Sequence, residues 1–154
     1  MPHTPDPLIA SLSPRDLWVL TLWGEARGEP LLGQVAVAWS IKNRTLSKRW
    51  YGNKDLKKVL LKWAQYSCLW ESLGGKNFPK VQRLARDIRD AVKPTKTLRQ
   101  LYNIVDSIIS GNLEDITLGA THYYANTIDA PNWTHPPAIF RGQFGHHLFY
   151  FNVA

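Results

Sequence analysis

Residues 13–30 read Ser13-Pro14-Arg15-Asp16-Leu17-Trp18-Val19-Leu20-Thr21-Leu22-Trp23-Gly24-Glu25-Ala26-Arg27-Gly28-Glu29-Pro30. The first four residues are a helix start. Ser13 is an N-cap, Pro14 has the torsion required at the first helical position, and Asp16 places an acid in the first turn. Leu17, Leu20 and Thr21 follow on one face, so a helix is expected to run to about Glu25 or Ala26. Gly24 and Gly28 bracket its end, and Pro30 disfavours the α conformation at Glu29. The helix is therefore expected to stop inside a stretch that carries two carboxylates, and to expose it.

Beyond this stretch, Pro30 can open a second helix. Val35, Ala36, Val37, Ala38, Trp39 and Ile41 make it apolar almost all round, as expected of a buried central helix. It ends in Lys42, Arg44, Lys48 and Arg49, charges suited to a helix C-terminus. Asp55 to Trp63 reads as a short amphipathic helix through Leu56, Val59, Leu60 and Trp63, and Gly74-Gly75 as a loop. Val81, Leu84, Ala85 and Ile88 predict a fourth helix after Pro79. Leu98, Leu101, Val105, Ile108 and Ile109 predict a fifth, between Lys93-Pro94 and Gly111. Thr121-His122-Tyr123-Tyr124 and His147-Leu148-Phe149-Tyr150-Phe151 are aromatic and β-prone, separated by Pro131, Pro136, Pro137 and Gly142. They predict a two-stranded sheet or extended loops. The expectation is a mostly α, single domain of about five helices with a small C-terminal β or extended region. It covers residues 13–154 after a flexible N-terminal segment, 1–12.

The 154 residues are enough for a core without disulfides, and 44% hydrophobic with 20% charged residues is a globular balance. The one cysteine, Cys68, cannot form an internal disulfide, which suits synthesis in a reducing cytoplasm. The first residues contain no basic n-region or apolar run of the secretory kind, so no signal peptide is expected. No stretch approaches the roughly 20 apolar residues of a membrane span. The formal charge of +7 favours polyanionic partners: nucleic acid, anionic lipid, lipopolysaccharide or wall polymers. Seven Trp and six Tyr supply rings able to stack on sugars or on bases.

Glu25 has the setting of an acid–base group. It stands at the end of an apolar helix beside Trp23, and partial desolvation raises a carboxyl pKa towards the value a general acid needs at neutral pH. The ordinary alternative is a solvated carboxylate paired with Arg27 or Lys42.

Four ordered blocks resemble the SleB-type cell wall hydrolases, a family that includes spore-cortex-lytic enzymes and phage endolysins. The first is Trp23 to Pro30, continued by Gly33-Gln34-Val35-Ala36-Val37-Ala38 and Ile41-Lys42-Asn43-Arg44. The others are Gln65-Tyr66-Ser67-Cys68-Leu69-Trp70, Gly119-Ala120-Thr121-His122-Tyr123-Tyr124-Ala125 and Gly145-His146-His147-Leu148-Phe149-Tyr150. The likeness spans roughly residues 13 to 151. It implies a lysozyme-like fold related to lytic transglycosylases, Glu25 as the catalytic acid, and cleavage of the β-1,4 bond between N-acetylmuramic acid and N-acetylglucosamine in peptidoglycan. The chain departs from the family pattern by inserting Leu69 before Trp70.

A two-carboxylate glycosidase holds its acids on opposite sides of the bond, about 5–5.5 Å apart for retention and about 6.5–9.5 Å for inversion. Glu29 is the only nearby second acid. On a continued helix it would sit beside Glu25 on one face, and Pro30 makes a bracing role the alternative. A single-acid transglycosylation therefore fits better, with water-based hydrolysis helped by Ser67 or a tyrosine as the alternative. Given the resemblance, Gln65, Ser67, His122, Tyr124 and Asn126 are expected to line the groove, with Trp133 or Tyr123 stacking on sugar; Glu29 and Trp70 join the set from their motifs. His147 reads as structural and Cys68 as a buried thiol. His122, His135, His146 and His147 lie close in sequence but lack any metal-binding pattern, so no metal or cofactor is expected.

The rivals are a nucleic-acid-binding domain using Lys42, Arg44, Lys48, Arg49, Lys54, Lys57, Lys58 and Lys62, and a wall-binding module without catalysis. The preferred expectation is a monomeric endolysin acting on peptidoglycan glycan strands. It would be made in a host bacterial cytoplasm and act at the wall, drawn by anionic outer-membrane or wall polymers, with no nucleic acid partner.

Overall fold

Ser13 caps its helix as the sequence predicts, its hydroxyl accepting the backbone N–H of Asp16 at 3.1 Å. The computed structural model describes residues 3–154; Met1 and Pro2, part of the segment expected to be flexible, lie outside the described residues. The helices are α1 (Pro7–Ser11), α2 (Pro14–Ala26), α3 (Leu31–Leu46), α4 (Leu56–Leu60), α5 (Glu71–Gly74), α6 (Asn77–Arg89) and α7 (Lys96–Ile109). Three strands follow: β1 (His122–Ala125), β2 (Ile139–Phe144) and β3 (His147–Phe151). Single 3-10 turns lie at Ser67–Leu69 and Asn132–Thr134.

The centre of the molecule is α2, and not only the helix after Pro30. Leu17, Trp18, Val19, Leu20 and Leu22 are five apolar residues with no polar face between them. All are buried, and α3, α4, α6 and α7 pack around them. The expected single face of Leu17, Leu20 and Thr21 is thus a fully enclosed middle. In α3, Gly33 to Ala38, Ser40 and Ile41 are buried and Trp39 is half-buried, while Leu31 and Leu32 in its first turn are exposed. The amphipathic α6 and α7 turn Phe78, Val81 and Ala85, and Leu98, Leu101, Ile104, Val105 and Ile108, inward.

Several boundaries differ from expectation for identifiable reasons. Asp6 caps α1 by accepting the N–H of Ile9 at 3.0 Å, and Ile9 is fully buried in the core. From Pro7 onward, the segment expected to be flexible is therefore part of the fold. The fourth predicted helix starts before Pro79, which occupies the first turn of α6, where a missing N–H costs nothing. The Asp55 helix stops at Leu60, and the chain reverses at Ala64 with φ of +64°. A short helix, α5, replaces the expected Gly74 loop, and Gly75 ends it with φ of +54°.

The sheet has order β1-β3-β2, antiparallel throughout. Its third strand, β2, escapes the sequence pattern because Gly142 sits at a bulge in its register with β3, and Ile139 and Phe140 are exposed. Phe149 on β3 is fully buried and ties the sheet to the helical core, and β1 and β2 also pack on α3.

Candidate active site

Glu25 lies in the last turn of α2, where the close approach of a second segment decides its surroundings. A methyl group on Gly24 would sit 2.6 Å from Cys68 Sγ and 2.8 Å from its Cβ, so only glycine allows the 3-10 turn Ser67–Leu69 to press against the helix. Gly24 therefore acts in packing and does not end the helix, which continues to Ala26. Cys68 and Leu69 are buried by this contact, and Ser67 faces outward. From the opposite side β1 brings Tyr123. The result is a cleft of about 220 Å³ lined by Glu25, Arg44, Ala64, Gln65, Tyr66, Ser67 and Tyr123.

Arg44 and Asn43, at the end of α3, hold the walls of this cleft together. Arg44 Nε donates to the carbonyl of Thr121 at 2.7 Å, and its Nη1 donates to Gln65 Oε1. Asn43 Nδ2 donates to the carbonyl of Ala120 at 3.0 Å and to Asp115 Oδ2 at 2.8 Å. The sequence blocks around Arg44, Gln65 and Thr121 are thus parts of one hydrogen-bonded wall. Arg44 and Tyr66 are cleft residues that no local sequence signal assigns to the site: in the sequence Arg44 reads as a motif member and a helix-terminal cation, and Tyr66 as a motif member.

Burial pushes the Glu25 carboxyl up to about 7, against the hydroxyl of Tyr123 and the thiol of Cys68, which donate towards it and lower it. Near neutral pH a substantial fraction is protonated, as a general acid requires. The solvated alternative, a carboxylate paired with Arg27 or Lys42, is not what forms: neither cation makes an ion pair with Glu25 among the described residues. Arg27 donates to Asn77 Oδ1 at 2.7 Å and stacks on the Trp23 ring at 4.0 Å. Burial also raises Tyr66 to about 12 and holds Cys68 well above the usual thiol range, so Cys68 stays a thiol and not a nucleophile.

Glu29 points away from the cleft. Its Oε1 accepts the backbone N–H of His146 at 2.8 Å, and Oε2 lies 2.6 Å from His146 Nδ1. His147 Nδ1 lies 2.9 Å from Oε1 but without the alignment of a hydrogen bond. Burial would raise the Glu29 carboxyl. The side-chain and backbone hydrogen bonds from His146 and the neighbouring imidazoles outweigh that and lower it. Gly145 permits the contact, since its φ is +61° and a methyl group would meet Glu29 Oε1 at 2.9 Å. Of its two expected roles, Glu29 takes the brace and not the groove position.

The other expected groove residues divide. Gln65, Ser67 and Tyr123 join Glu25 in the cleft. Trp70 does not: it follows the 3-10 turn, leads into α5 and is buried in the core, edge-on to Trp63. His122 is also buried. Its Nδ1 is 2.9 Å from Thr121 Oγ1, its ring is wedged between Tyr51 and Trp133, and burial, with the charge of Arg44, holds it down to about 3. It is a neutral packing residue. Tyr124 and Trp133 belong to an aromatic group with Tyr150, outside the cleft lining. Asn126 is exposed just past β1 and donates its backbone N–H to His146 O at 2.8 Å. His147 is half-buried against Tyr123. Among the described residues, no three His, Cys, Asp or Glu side chains cluster so as to hold a metal ion.

A family model described as Cell Wall Hydrolase matches residues 28–150. Glu25 lies just before the matched span, so its assignment rests on the cleft. Two solved structures resemble the chain. One is the catalytic domain of the germination-specific lytic transglycosylase SleB from Bacillus anthracis, 22% identical with a TM-score of 0.58, covering 97% of this chain and 98% of that one. The other is the catalytic domain of the Bacillus cereus SleB protein, 20% identical with a TM-score of 0.59, covering 97% and 94%. At that identity they establish the fold, the expected mostly α lysozyme-like domain. No curated protein matches the chain in sequence.

Proposed function

The chain belongs to the cell wall hydrolase family, and from that premise we propose that it cleaves the β-1,4 bond between N-acetylmuramic acid and N-acetylglucosamine in peptidoglycan, as a lytic transglycosylase with Glu25 as its one acid. The observation that carries this reading is a single carboxyl, pushed up to about 7, in a cleft whose lining contains no second carboxylate. A two-acid mechanism needs a partner across the sugar, and Glu29 is engaged with His146.

In the proposed reaction the Glu25 proton passes to the glycosidic oxygen as the bond to the muramic acid anomeric carbon breaks. The resulting carboxylate then takes the proton of the muramic acid 6-hydroxyl as that oxygen closes a 1,6-anhydro ring. Donation from the Tyr123 hydroxyl and the Cys68 thiol favours the carboxylate between the two steps. Gln65, held by Arg44, and the exposed Ser67 line the cleft, and on this reading they bind substrate hydroxyl or N-acetyl groups.

Purified peptidoglycan incubated with the parent and with Glu25→Gln tests this. The parent is expected to clear the suspension and release anhydro-muropeptides, one water lighter than hydrolytic products. The variant is expected to lose about 10²–10⁴-fold in rate, the usual contribution of a general acid. Hydrolytic masses would replace transglycosylation with water attack, and an active variant would remove Glu25 from the mechanism. An endolysin-type, bacteriolytic setting is part of the proposal. Its support is the formal charge of +7, which draws the protein to an anionic wall, and lysis of permeabilised bacteria by added protein checks it.

A further inference from the structure

A second cavity, of about 530 Å³ and larger than the Glu25 cleft, opens between residues 50–53 and α4. Lys57, Lys58 and Lys62 line it together with Trp50, Tyr51 and Val59, and no carboxylate does. None of the three lysines has an ion-pair partner among the described residues. Lys57 donates to the carbonyl of Ala10. The Lys62 ammonium stands 4.4 Å over the Trp50 ring, and that indole is 61% exposed. A basic cavity with an open indole suits a ligand that carries carboxylates on a partly apolar frame.

Its position narrows the ligand. Leu61 and Lys62 line this cavity while Ala64 and Gln65 line the Glu25 cleft, and two residues of chain span at most about 7 Å. Tyr51 bridges the two from the other side, 5.5 Å from the guanidinium of Arg44. One substrate molecule can therefore reach both. In peptidoglycan the groups that branch from muramic acid beside the scissile bond are the stem peptides, whose free carboxylates complement the lysines. We propose that this cavity binds the acidic stem peptide of the strand being cut. The inference rests on the function proposed above, and nearness to the cleft favours the stem peptide over phosphate-bearing wall polymers.

The test compares the parent with Lys58→Glu/Lys62→Glu on two substrates, intact peptidoglycan and the same material stripped of its peptides by an amidase. Thermal melting verifies that the variant folds. On intact peptidoglycan the variant's KM is expected to rise about tenfold, the worth of two exposed ion pairs, with kcat within about twofold. Added salt is expected to shrink the difference. On stripped glycan the two proteins are expected to have equal KM. Lys58→Gln, whose side chain contacts neither Ala10 nor Trp50, is the milder second variant, with an expected KM increase of about threefold on intact material only. Equal losses on both substrates, an unchanged KM on intact peptidoglycan, or a loss seen only when phosphate-bearing wall polymers are present would each overturn the stem-peptide assignment. A parent that cuts neither substrate overturns the proposed function instead.

Discussion

Glu29 holds the turn between β2 and β3, accepting the backbone N–H of His146 at 2.8 Å while its other oxygen lies 2.6 Å from that residue's ring nitrogen. This brace keeps the second carboxylate out of the Glu25 cleft and joins the end of α2 to the sheet. Glu29→Ala is expected to cost about 1–2 kcal/mol of stability, the worth of hydrogen bonds to a charged group reduced for the exposed His146 side. Its kcat should stay within a few fold of the parent. The folded pKa of Glu29 is lowered, so the brace contributes fully above the unfolded value and is lost as pH falls through the folded one. Urea unfolding should show parent and variant apart at pH 7, with the difference shrinking as pH falls below the ordinary carboxyl value.

In the proposed mechanism Glu25 acts in its protonated form, so its pKa of about 7 sets an alkaline limb. The rate of peptidoglycan cleavage is expected to fall above pH 7, approaching about tenfold per pH unit. Tyr123→Phe removes a donor that lowers this pKa. The limb should therefore move to higher pH, and a limb that stays put or moves down would remove Tyr123 from contact with the acid.

The same burial penalises stability. Glu25 binds its proton more tightly folded, at about 7, than unfolded, near its ordinary 4.5. Stability therefore falls as pH rises through that window, and the penalty is complete above 7 and absent below 4.5. Integrated, it reaches up to about 3 kcal/mol. Glu25→Gln carries no such charge. It should melt at a higher temperature than the parent at pH 8 and at the same temperature at pH 4, as differential scanning calorimetry would show.

Gly24→Ala tests the packing that forms the cleft. Alanine gains about 0.5–1 kcal/mol of helix propensity, but its methyl would meet Cys68 Sγ at 2.6 Å, and overpacking costs about 1–3 kcal/mol. A net loss of stability and a lower kcat are expected, since the turn carrying Ser67 must shift. Adding Cys68→Ala removes the sulfur contact but leaves the Cβ contact at 2.8 Å, so chemical denaturation should show only partial recovery.

Local chemistry in the sequence was enough to locate α2, α3, α6 and α7, because caps and 3.6-residue periodicity act within one segment: Ser13 and Pro14 start α2, and the apolar spacing of Leu98 to Ile108 makes α7. Glu25 was legible for a related reason, since an acid at the end of an apolar helix is desolvated wherever that helix packs. The shape of its site was not legible. Arg44 reaches Gln65 and Thr121 across 21 and 77 residues of chain, and Glu29 reaches His146 across 117. Nothing local marks such pairings. Trp70 and His122 have the residue types of groove-lining groups, yet both are buried. Whether a ring meets substrate or core depends on which element covers it, and only the tertiary structure decides that. Local sequence was enough for a helical domain with a carboxyl at the end of an apolar helix, and the packing of Cys68, Tyr123 and Arg44 around Glu25 made its surroundings a cleft.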